Sequence, residues 1–199
     1  MSAVADALMQ SFVIEGGQPL AGRVRTAGNK NGALPILAAC LLTTETVELS
    51  NVPRIRDVET MVELLADLGA DVDWQGPNEV RICAADLHKI ELDEELCRRI
   101  RASILLAGPL VARLGRAVVP PPGGDPIGRR RLDVHMHALA ELGADISVGD
   151  RFVVSADALV GTRIFLDEAS VTGTENAIMA AVLARGETVV ANAACEPHV

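Results

Sequence analysis

Aromatic residues are nearly absent from this chain of 199 residues, which has no tyrosine, one tryptophan and three phenylalanines. Because hydrophobic residues still make up 49% of the chain, the core must be built from Ala, Leu, Val and Ile. Such a core favours close-packed helices and strands of β-branched residues. Proteins that bind single-stranded nucleic acid stack its bases on aromatic rings. The missing aromatics and the formal net charge of -9 therefore argue against nucleic acid as a partner.

The chain also lacks the patterns of a metal site, a secretory signal and a membrane span. Its cysteines form no C-x-x-C pair and have no histidine at zinc-ligand spacing, so we expect reduced, buried thiols in a cytoplasmic protein without metal or cofactor. The N-terminus has no basic start and carries Asp6 in its apolar part, so it is not predicted to be a signal peptide. The longest apolar runs, 33–42 and 103–112, are about half the ~20 residues that span a bilayer. We predict core helices there and no membrane partner. The cysteines are Cys40, Cys83, Cys97 and Cys195.

The sequence repeats itself. LLADLGADVDW at 64–74 recurs as ALAELGADISV at 138–148, and residues 37–53 are echoed at 179–197. A middle copy of the second pattern, an apolar helix followed by a Val-rich strand, lies at 103–123. Such regular self-similarity indicates one supersecondary unit used three times.

Each unit has the same predicted elements. In the first unit we predict a helix over 33–42, a strand over 46–49, a second helix over 57–68 and a strand from Val72. The apolar side chains of the second helix, spaced at i, i+3, i+7 and i+10, share one face, and Gly69 is placed to end it. The third unit shows only a helix over 174–184 and a strand over 188–191, so the chain is expected to be a fragment or a cut piece of a longer protein. The order of elements predicts an α/β domain with three similar lobes around shared buried helices.

Two segments carry the residues best suited to chemistry. Residues 120–135, PPPGGDPIGRRRLDVH, are a predicted loop with an acid at its crest, Asp125, followed by three arginines. A local positive cluster beside this acid suggests a place where an anion is bound and a proton is moved. Residues 28–35, GNKNGALP, suggest an anion site at a helix start, although an ordinary helix start with Pro35 in its first turn explains them equally well.

Five segments together resemble the enolpyruvyl transferase family, in the branch that acts on a UDP-sugar. They are GNKNGALPILAACLL, LSNVPRIRDVETMVELLADLGADV, RASILLAGPLVARLG, PPGGDPIGRRRLDVH and SVTGTENAIMAAVLARGETVVANAACEP. The resemblance runs from about Phe12 to the last residue, and the loop pattern P-G-G-[C/D]-x-I-G-x-R is specific to this branch.

The resemblance implies a fold: an inside-out α/β barrel, in which each of two domains is a threefold repeat of βαβαββ units. Here the units would span about 23–95, 96–165 and 166–199, the third being truncated. Residues 1–22 would be a tail and a strand of the other domain, and the family chain is about twice as long as this one.

The resemblance also implies a reaction. The enolpyruvyl group of phosphoenolpyruvate is transferred to the 3′-hydroxyl of UDP-N-acetylglucosamine with release of phosphate, the first committed step of peptidoglycan biosynthesis. The missing C-terminal half is an implied partner, because it supplies the base and several phosphate-binding arginines. Two alternatives stay open: a half-protein that binds UDP-sugar without catalysis, and a sister enzyme that acts on shikimate 3-phosphate.

The family's site residues are carried over by position. Asp125 falls on the general acid, which is usually a cysteine, although Gly-Gly-Asp-Pro is also a common turn. Lys30 and Asn31 fall on positions that touch phosphoenolpyruvate and the sugar. The positions that contact UDP-N-acetylglucosamine correspond to Arg101, Arg130, Arg131, Leu132, Asp133, Val134, Ser170 and Val171.

Some of these residues have a second interpretation. Arg101 also fits a surface charge at a helix start, Arg131 fits a secondary role, and Asp133 also fits a helix N-cap. Glu168 stands where some members have lysine, so no phosphate contact is expected from it. The loop over 120–131 is expected to be exposed and mobile without ligand, because it is rich in Pro and Gly and has few apolar anchors.

Overall fold

The computed structural model of the protein describes residues 12–124 and 131–199. The helices of this part are α1 (Lys30–Ala39), α2 (Arg56–Leu68), α3 (Glu94–Arg99), α4 (Ala107–Leu114), α5 (Asp133–Glu141) and α6 (Val171–Val182). The strands are β1 (Thr46–Leu49), β2 (Asp71–Gly76), β3 (Glu79–Cys83), β4 (Arg116–Val119), β5 (Asp145–Val148), β6 (Phe152–Ser155), β7 (Arg163–Phe165) and β8 (Val189–Ala191). A 3-10 turn over Cys40–Leu42 extends α1, and another over Arg101–Leu106 leads into α4.

The strands form two antiparallel sheets of the same design and one parallel pair. β3 lies between β1 and β2, and β6 lies between β4 and β5. The central strand of the first sheet places Ile82 opposite both Val47 and Val72, and Val154 has the same place in the second sheet. Both central side chains are completely buried. β7 and β8 run parallel, as strands joined through a helix such as α6 usually do.

The core is a layer of helices behind the sheets. α4 packs on α6, α5 packs on α6, and α1 packs on α2. Leu37 on α1, Leu110 on α4 and Leu106 in the 3-10 turn before α4 are completely buried. A Cβ atom at Gly108 would lie 2.5 Å from the side-chain oxygen of Asn176, so glycine is what allows α4 and α6 to approach this closely. The prediction of a core built from Ala, Leu, Val and Ile is confirmed.

Helix α2 has the predicted amphipathic face. Val58, Met61, Leu65 and Leu68 are all completely buried. Gly69 follows with a φ of 109°, and its N–H donates to the carbonyl of Ala66. A left-handed conformation of this kind is favourable for glycine, so the predicted end of the helix is confirmed.

Helix α1 begins three residues earlier than expected. The side chain of Asn29 accepts a hydrogen bond from the N–H of Gly32 at 3.0 Å, which caps the helix at Lys30. Pro35 consequently lies inside the helix, and its placement in the first turn was wrong. Because proline has no N–H, the Asn31 carbonyl lacks its usual partner four residues on.

Residues 12–22 form no strand in the described chain, and Phe12, Ile14 and Leu20 are at least 85% exposed, so their place as a strand of another domain stays a prediction. The expectation of buried thiols fails in part: Cys40 and Cys97 are buried, but Cys83 is half-buried and Cys195 is exposed. Burial raises the pKa of both buried thiols to about 11, which makes them poor nucleophiles.

Candidate functional site

The start of α1 presents Lys30 and Asn31 at the surface. A Cβ atom at Gly28 would lie 1.9 Å from the Asn51 carbonyl oxygen, so only glycine lets the chain enter the helix this close to its neighbour. The Lys30 ammonium group lies 2.9 Å from a carboxylate oxygen of Asp57, and both side chains are exposed. No acidic residue occupies the first turn of α1. The helix start therefore offers its first backbone N–H groups to an anion, beside the Lys30 ammonium group that is paired with Asp57.

The loop with the acid is anchored at its beginning. The N–H of Gly123 donates to the Cys97 carbonyl at 2.9 Å, and the N–H of Gly124 donates to the Arg98 carbonyl at 3.3 Å. Pro120 is buried, so the expectation that the whole loop over 120–131 is exposed was wrong for its first residue, whereas Pro121 and Gly124 are exposed. Asp125 and Arg130 lie outside the described residues, and their predicted roles stay predictions.

Arg101 lies close to Gly124 and to Arg131. Its backbone N would be 3.1 Å from a Cβ atom at Gly124, and its guanidinium group donates to the carbonyl of Arg131 at 3.4 Å. The side chain is half-buried at the start of a 3-10 turn. Arg101 is thus held beside Gly124 and Arg131 rather than isolated at the surface, and its contact with the sugar nucleotide stays a prediction.

The residues at the start of α5 that are predicted to hold the nucleotide differ in their exposure to solvent. Leu132 is the N-cap of α5, and Asp133 is its first residue, so the N-cap prediction for Asp133 was wrong. Leu132 is only 8% exposed as a whole residue, so little of it is open to a ligand. Arg131 Nε lies 2.5 Å from the Asp133 carboxylate, and this ion pair is exposed.

A cleft of about 310 Å³ opens between the start of α5 and the segment before α6. Its described lining consists of Arg131, Asp133, Val134, His137, Asp167 and Glu168. Arg131 is the one permanent cation among these lining residues, and it is paired with Asp133. The cleft has room for a nucleoside, whereas a diphosphate needs positive charge from outside this set.

Sequence reasoning missed His137, which lines this cleft and whose Nε2 lies 3.1 Å from the Phe165 carbonyl oxygen. The sequence pattern that could have identified His137 is its spacing from Asp133. The two residues are four apart, and residues four apart share one face of a helix.

The start of α6 completes the described part of the site. Ser170 is the N-cap of α6, and its hydroxyl accepts a hydrogen bond from the N–H of Gly173 at 3.2 Å. Val171 is the first helical residue and is half-buried. The Ser170 hydroxyl is therefore already engaged in capping the helix. Val171 is the next residue, in the first turn of α6.

The segment over 192–199 joins the start of α6 to the start of α1. The N–H of Ala194 donates to the Thr174 hydroxyl at 2.9 Å, and the Cβ of His198 would lie 3.5 Å from a Cβ atom at Gly32. Beneath this segment Glu175 is 6% exposed, and its Oε1 has no hydrogen-bond partner in the described part of the protein. Burial, followed by the charge of Glu196, raises the pKa of Glu175 to about 7.

The described residues contain no group of His, Cys, Asp and Glu that is arranged to hold a metal ion. Within the same residues, no helix is both long enough and apolar enough to span a membrane.

Comparison with known proteins gives the same family over most of the chain. A UDP-N-acetylglucosamine 1-carboxyvinyltransferase of Bradyrhizobium diazoefficiens is 56% identical over 188 residues, which cover 94% of this chain and 44% of that protein. The protein of the same name from Borreliella burgdorferi is 52% identical over 192 residues, covering 96% of this chain and 45% of its own length. The chain thus spans less than half the length of these curated relatives.

Solved structures show the same fold. The enolpyruvyl transferase NikO from Streptomyces tendae matches with a TM-score of 0.78 at 22% identity, covering 94% of this chain and 44% of that one. EPSP synthase from Acinetobacter baumannii matches with a TM-score of 0.70 at 18% identity, covering 89% and 42%. The α/β fold of the enolpyruvyl transferases is therefore present here. The family model of EPSP synthase (3-phosphoshikimate 1-carboxyvinyltransferase) matches residues 14–199, and the chain belongs to that family.

Proposed function

We propose that this chain is part of an enzyme that transfers the enolpyruvyl group of phosphoenolpyruvate to the 3′-hydroxyl of UDP-N-acetylglucosamine and releases phosphate. The observation that carries the proposal is the 56% identity to a protein named for this activity, over 94% of the chain. The cleft at the start of α5 supports it, because Arg131 both lines the cleft and follows the loop that contains Asp125. The reaction would be the first committed step of peptidoglycan biosynthesis, in the cytoplasm.

The described residues suggest how the substrates divide between the elements. Lys30 and Asn31, with the free N–H groups of α1, suit the negative charges of phosphoenolpyruvate. Arg101, Arg131 to Val134, Ser170 and Val171 surround or adjoin the cleft and suit the UDP-sugar. Arg130 would add a cation for the diphosphate.

Asp125 has the catalytic role in this proposal. The 3′-hydroxyl gives its proton to the base of the C-terminal half and its oxygen bonds to C2 of phosphoenolpyruvate, while a proton is added to the C3 methylene. The C2–O bond to phosphate then breaks, phosphate leaves with the electron pair, and C3 returns a proton to the acid's conjugate base, which restores the double bond. Asp125 would supply the first proton or assist the departure of phosphate.

The architecture proposed with this function is a threefold repeat. The two three-stranded sheets have the same strand order, and the β7–α6–β8 segment would be the beginning of a third unit. The rest of that unit, the base and the remaining phosphate-binding arginines would come from the missing C-terminal half. The exposed residues 12–22 would add a strand to that other domain. On its own, this chain should release no phosphate.

Two alternatives compete with this proposal: a sister enzyme acting on shikimate 3-phosphate, and a half-protein that binds a UDP-sugar without turnover. The name of the family model, 3-phosphoshikimate 1-carboxyvinyltransferase, favours the first. The loop pattern around Asp125 favours the UDP-sugar enzyme over both.

The test is an assay of phosphate release by the full-length protein, with phosphoenolpyruvate and either acceptor. Turnover with UDP-N-acetylglucosamine and none with shikimate 3-phosphate is expected. The reverse preference would show the sister enzyme, and UDP-sugar binding without turnover by the full-length protein would show the binding module.

The role of Asp125 has its own test. Asp125→Asn should abolish transfer while UDP-sugar binding is retained, and Asp150→Asn, an exposed acid in the turn between β5 and β6, is the matched control. The epoxide fosfomycin alkylates the loop cysteine in the family, and a carboxylate is a weaker nucleophile than a thiolate. The natural protein should therefore resist fosfomycin, and Asp125→Cys should be inhibited. Full activity of Asp125→Asn would leave Asp125 as a turn residue.

A further inference from the structure

A buried polar cluster lies where α4, α5 and α6 meet. His135 is 3% exposed and Asn176 is completely buried. The Asn176 side-chain oxygen accepts from the N–H of Gly108 at 2.8 Å, and its amide nitrogen donates to the Ile104 carbonyl at 2.8 Å. The same nitrogen lies 3.0 Å from His135 Nδ1, and His135 Nε2 lies 3.2 Å from the Thr172 hydroxyl. Every polar atom of the His135 ring is thus engaged.

The partners determine which ring nitrogen of His135 carries the proton. Because Gly108 donates to Asn176, the atom that Asn176 turns toward His135 is the amide nitrogen, which only donates. Nδ1 must therefore accept, and in a neutral ring the proton lies on Nε2, which donates to Thr172. Burial, and secondly the charge of Arg101, lower the pKa of His135 to about 4, so the ring is neutral at physiological pH.

This cluster connects the two segments that the proposed function assigns to the nucleotide. His135 directly follows Val134 on α5, and Thr172 directly follows Val171 on α6. A second contact lies beside the first, since a Cβ atom at Gly173 would be 2.7 Å from a methyl group of Val134. The first turn of α5 has no side-chain cap of its own. The His135–Thr172 hydrogen bond therefore contributes directly to the spacing of the two helix starts.

We propose that His135 is a positioning residue, whose neutral ring, held between Asn176 and Thr172, sets the start of α5 against the start of α6 for UDP-sugar binding. This inference rests on the proposed function. A substrate whose contacts come from both helix starts loses affinity when their spacing changes, even though the ring itself contacts no ligand.

The test uses the full-length protein and calorimetric titration with UDP-N-acetylglucosamine. Thr172→Val keeps the shape of the side chain and removes the hydrogen-bond acceptor, so binding should weaken about tenfold. Thr172→Ser, which keeps the hydroxyl, should restore binding, and Thr44→Val is an exposed control. In steady-state assays the KM for the UDP-sugar should rise about tenfold, while kcat at saturation stays within about twofold.

A spectroscopic measurement tests the tautomer without any ligand. In ¹⁵N NMR of histidine-labelled protein at neutral pH, the signal lost in His135→Gln should be that of a neutral ring with a proton on Nε2. A proton on Nδ1 would overturn the inference, as would tight binding by Thr172→Val in a protein that binds the UDP-sugar. Absence of binding by the natural protein would instead overturn the proposed function, and this inference with it.

Discussion

Replacement of Gly123 by alanine is the sharpest test of the loop's anchorage. A Cβ atom at Gly123 would lie 1.8 Å from the Arg98 carbonyl oxygen, whereas real Cβ atoms essentially never come closer than 3.0 Å to such an atom. The obstacle is backbone at the end of α3, which a side-chain rotation does not relieve. The alanine variant must therefore separate the loop from α3 by about 1.2 Å.

The displacement sets the expected loss of activity. Asp125 follows Gly123 by two residues in the sequence, so we expect a shift at the anchor to displace the proposed acid. A misplacement of about 1 Å at a reacting group costs roughly 100-fold in rate, or about 2.7 kcal/mol of barrier. The hydrogen bond from Gly123 to the Cys97 carbonyl is also weakened, at a cost of about 1 kcal/mol of stability. We expect the variant to fold and to be about 100-fold slower.

The measurement is phosphate release by the full-length protein, together with thermal unfolding of the same samples. Gly149→Ala is the matched control, because no atom lies within 4 Å of a Cβ at that position and its φ is not positive. The control should keep full activity. A Gly123→Ala variant with activity within about threefold of the natural protein would refute the reasoning that the anchor at α3 positions Asp125.

Three further predictions concern single side chains. Arg130→Ala should weaken UDP-sugar binding by about 1.5–3 kcal/mol in calorimetric titration, as for a hydrogen bond to a charged group, while the exposed Arg116→Ala should not. Arg113→Met should lower the free energy of unfolding by about 2–4 kcal/mol in urea, because Arg113 Nη1 lies 2.8–2.9 Å from three carbonyl oxygens and its two N–H groups join the first unit to α4. An unchanged midpoint would contradict this. The pKa of Glu175 is about 7 in the folded protein against an ordinary 4.5, so the folded state binds more protons than the unfolded state between these values. Stability should therefore fall by on the order of 3 kcal/mol as pH rises through this range, and Glu175→Gln should remove that slope.

Local patterns in the sequence were enough to predict most of the secondary structure. The buried face of α2 follows from the spacing of its apolar residues, and its end follows from Gly69, because both depend on residues within a few turns of one another. The strand over 46–49 was predicted at its observed bounds. The start of α1 was missed by three residues, since the cap that decides it is a single side chain, Asn29.

The sequence predicted which residues belong to the candidate site, but it did not predict how they are arranged in space. The sequence placed Arg131 to Val134 and Ser170 at the UDP-sugar, but the cleft between the two segments, with His137 in it, needs helices that are distant in the chain to be packed together. Leu132 appeared in the sequence as one more site residue, and only the packing shows that its side chain is buried.

The sequence by itself determined the family, the repeated pattern of helices and strands, and the residue types of the loop. Each of these depends on residues that are close together in the chain. Only the tertiary structure decided how the loop is anchored and which partners surround the two ring nitrogens of His135. It also decided that Glu175 is buried with one carboxylate oxygen lacking a hydrogen-bond partner among the described residues. These properties come from atoms that approach across long stretches of chain, such as Gly108 and Asn176, 68 residues apart. Burial then removes water as the alternative partner, so the protein alone sets each hydrogen bond and each pKa.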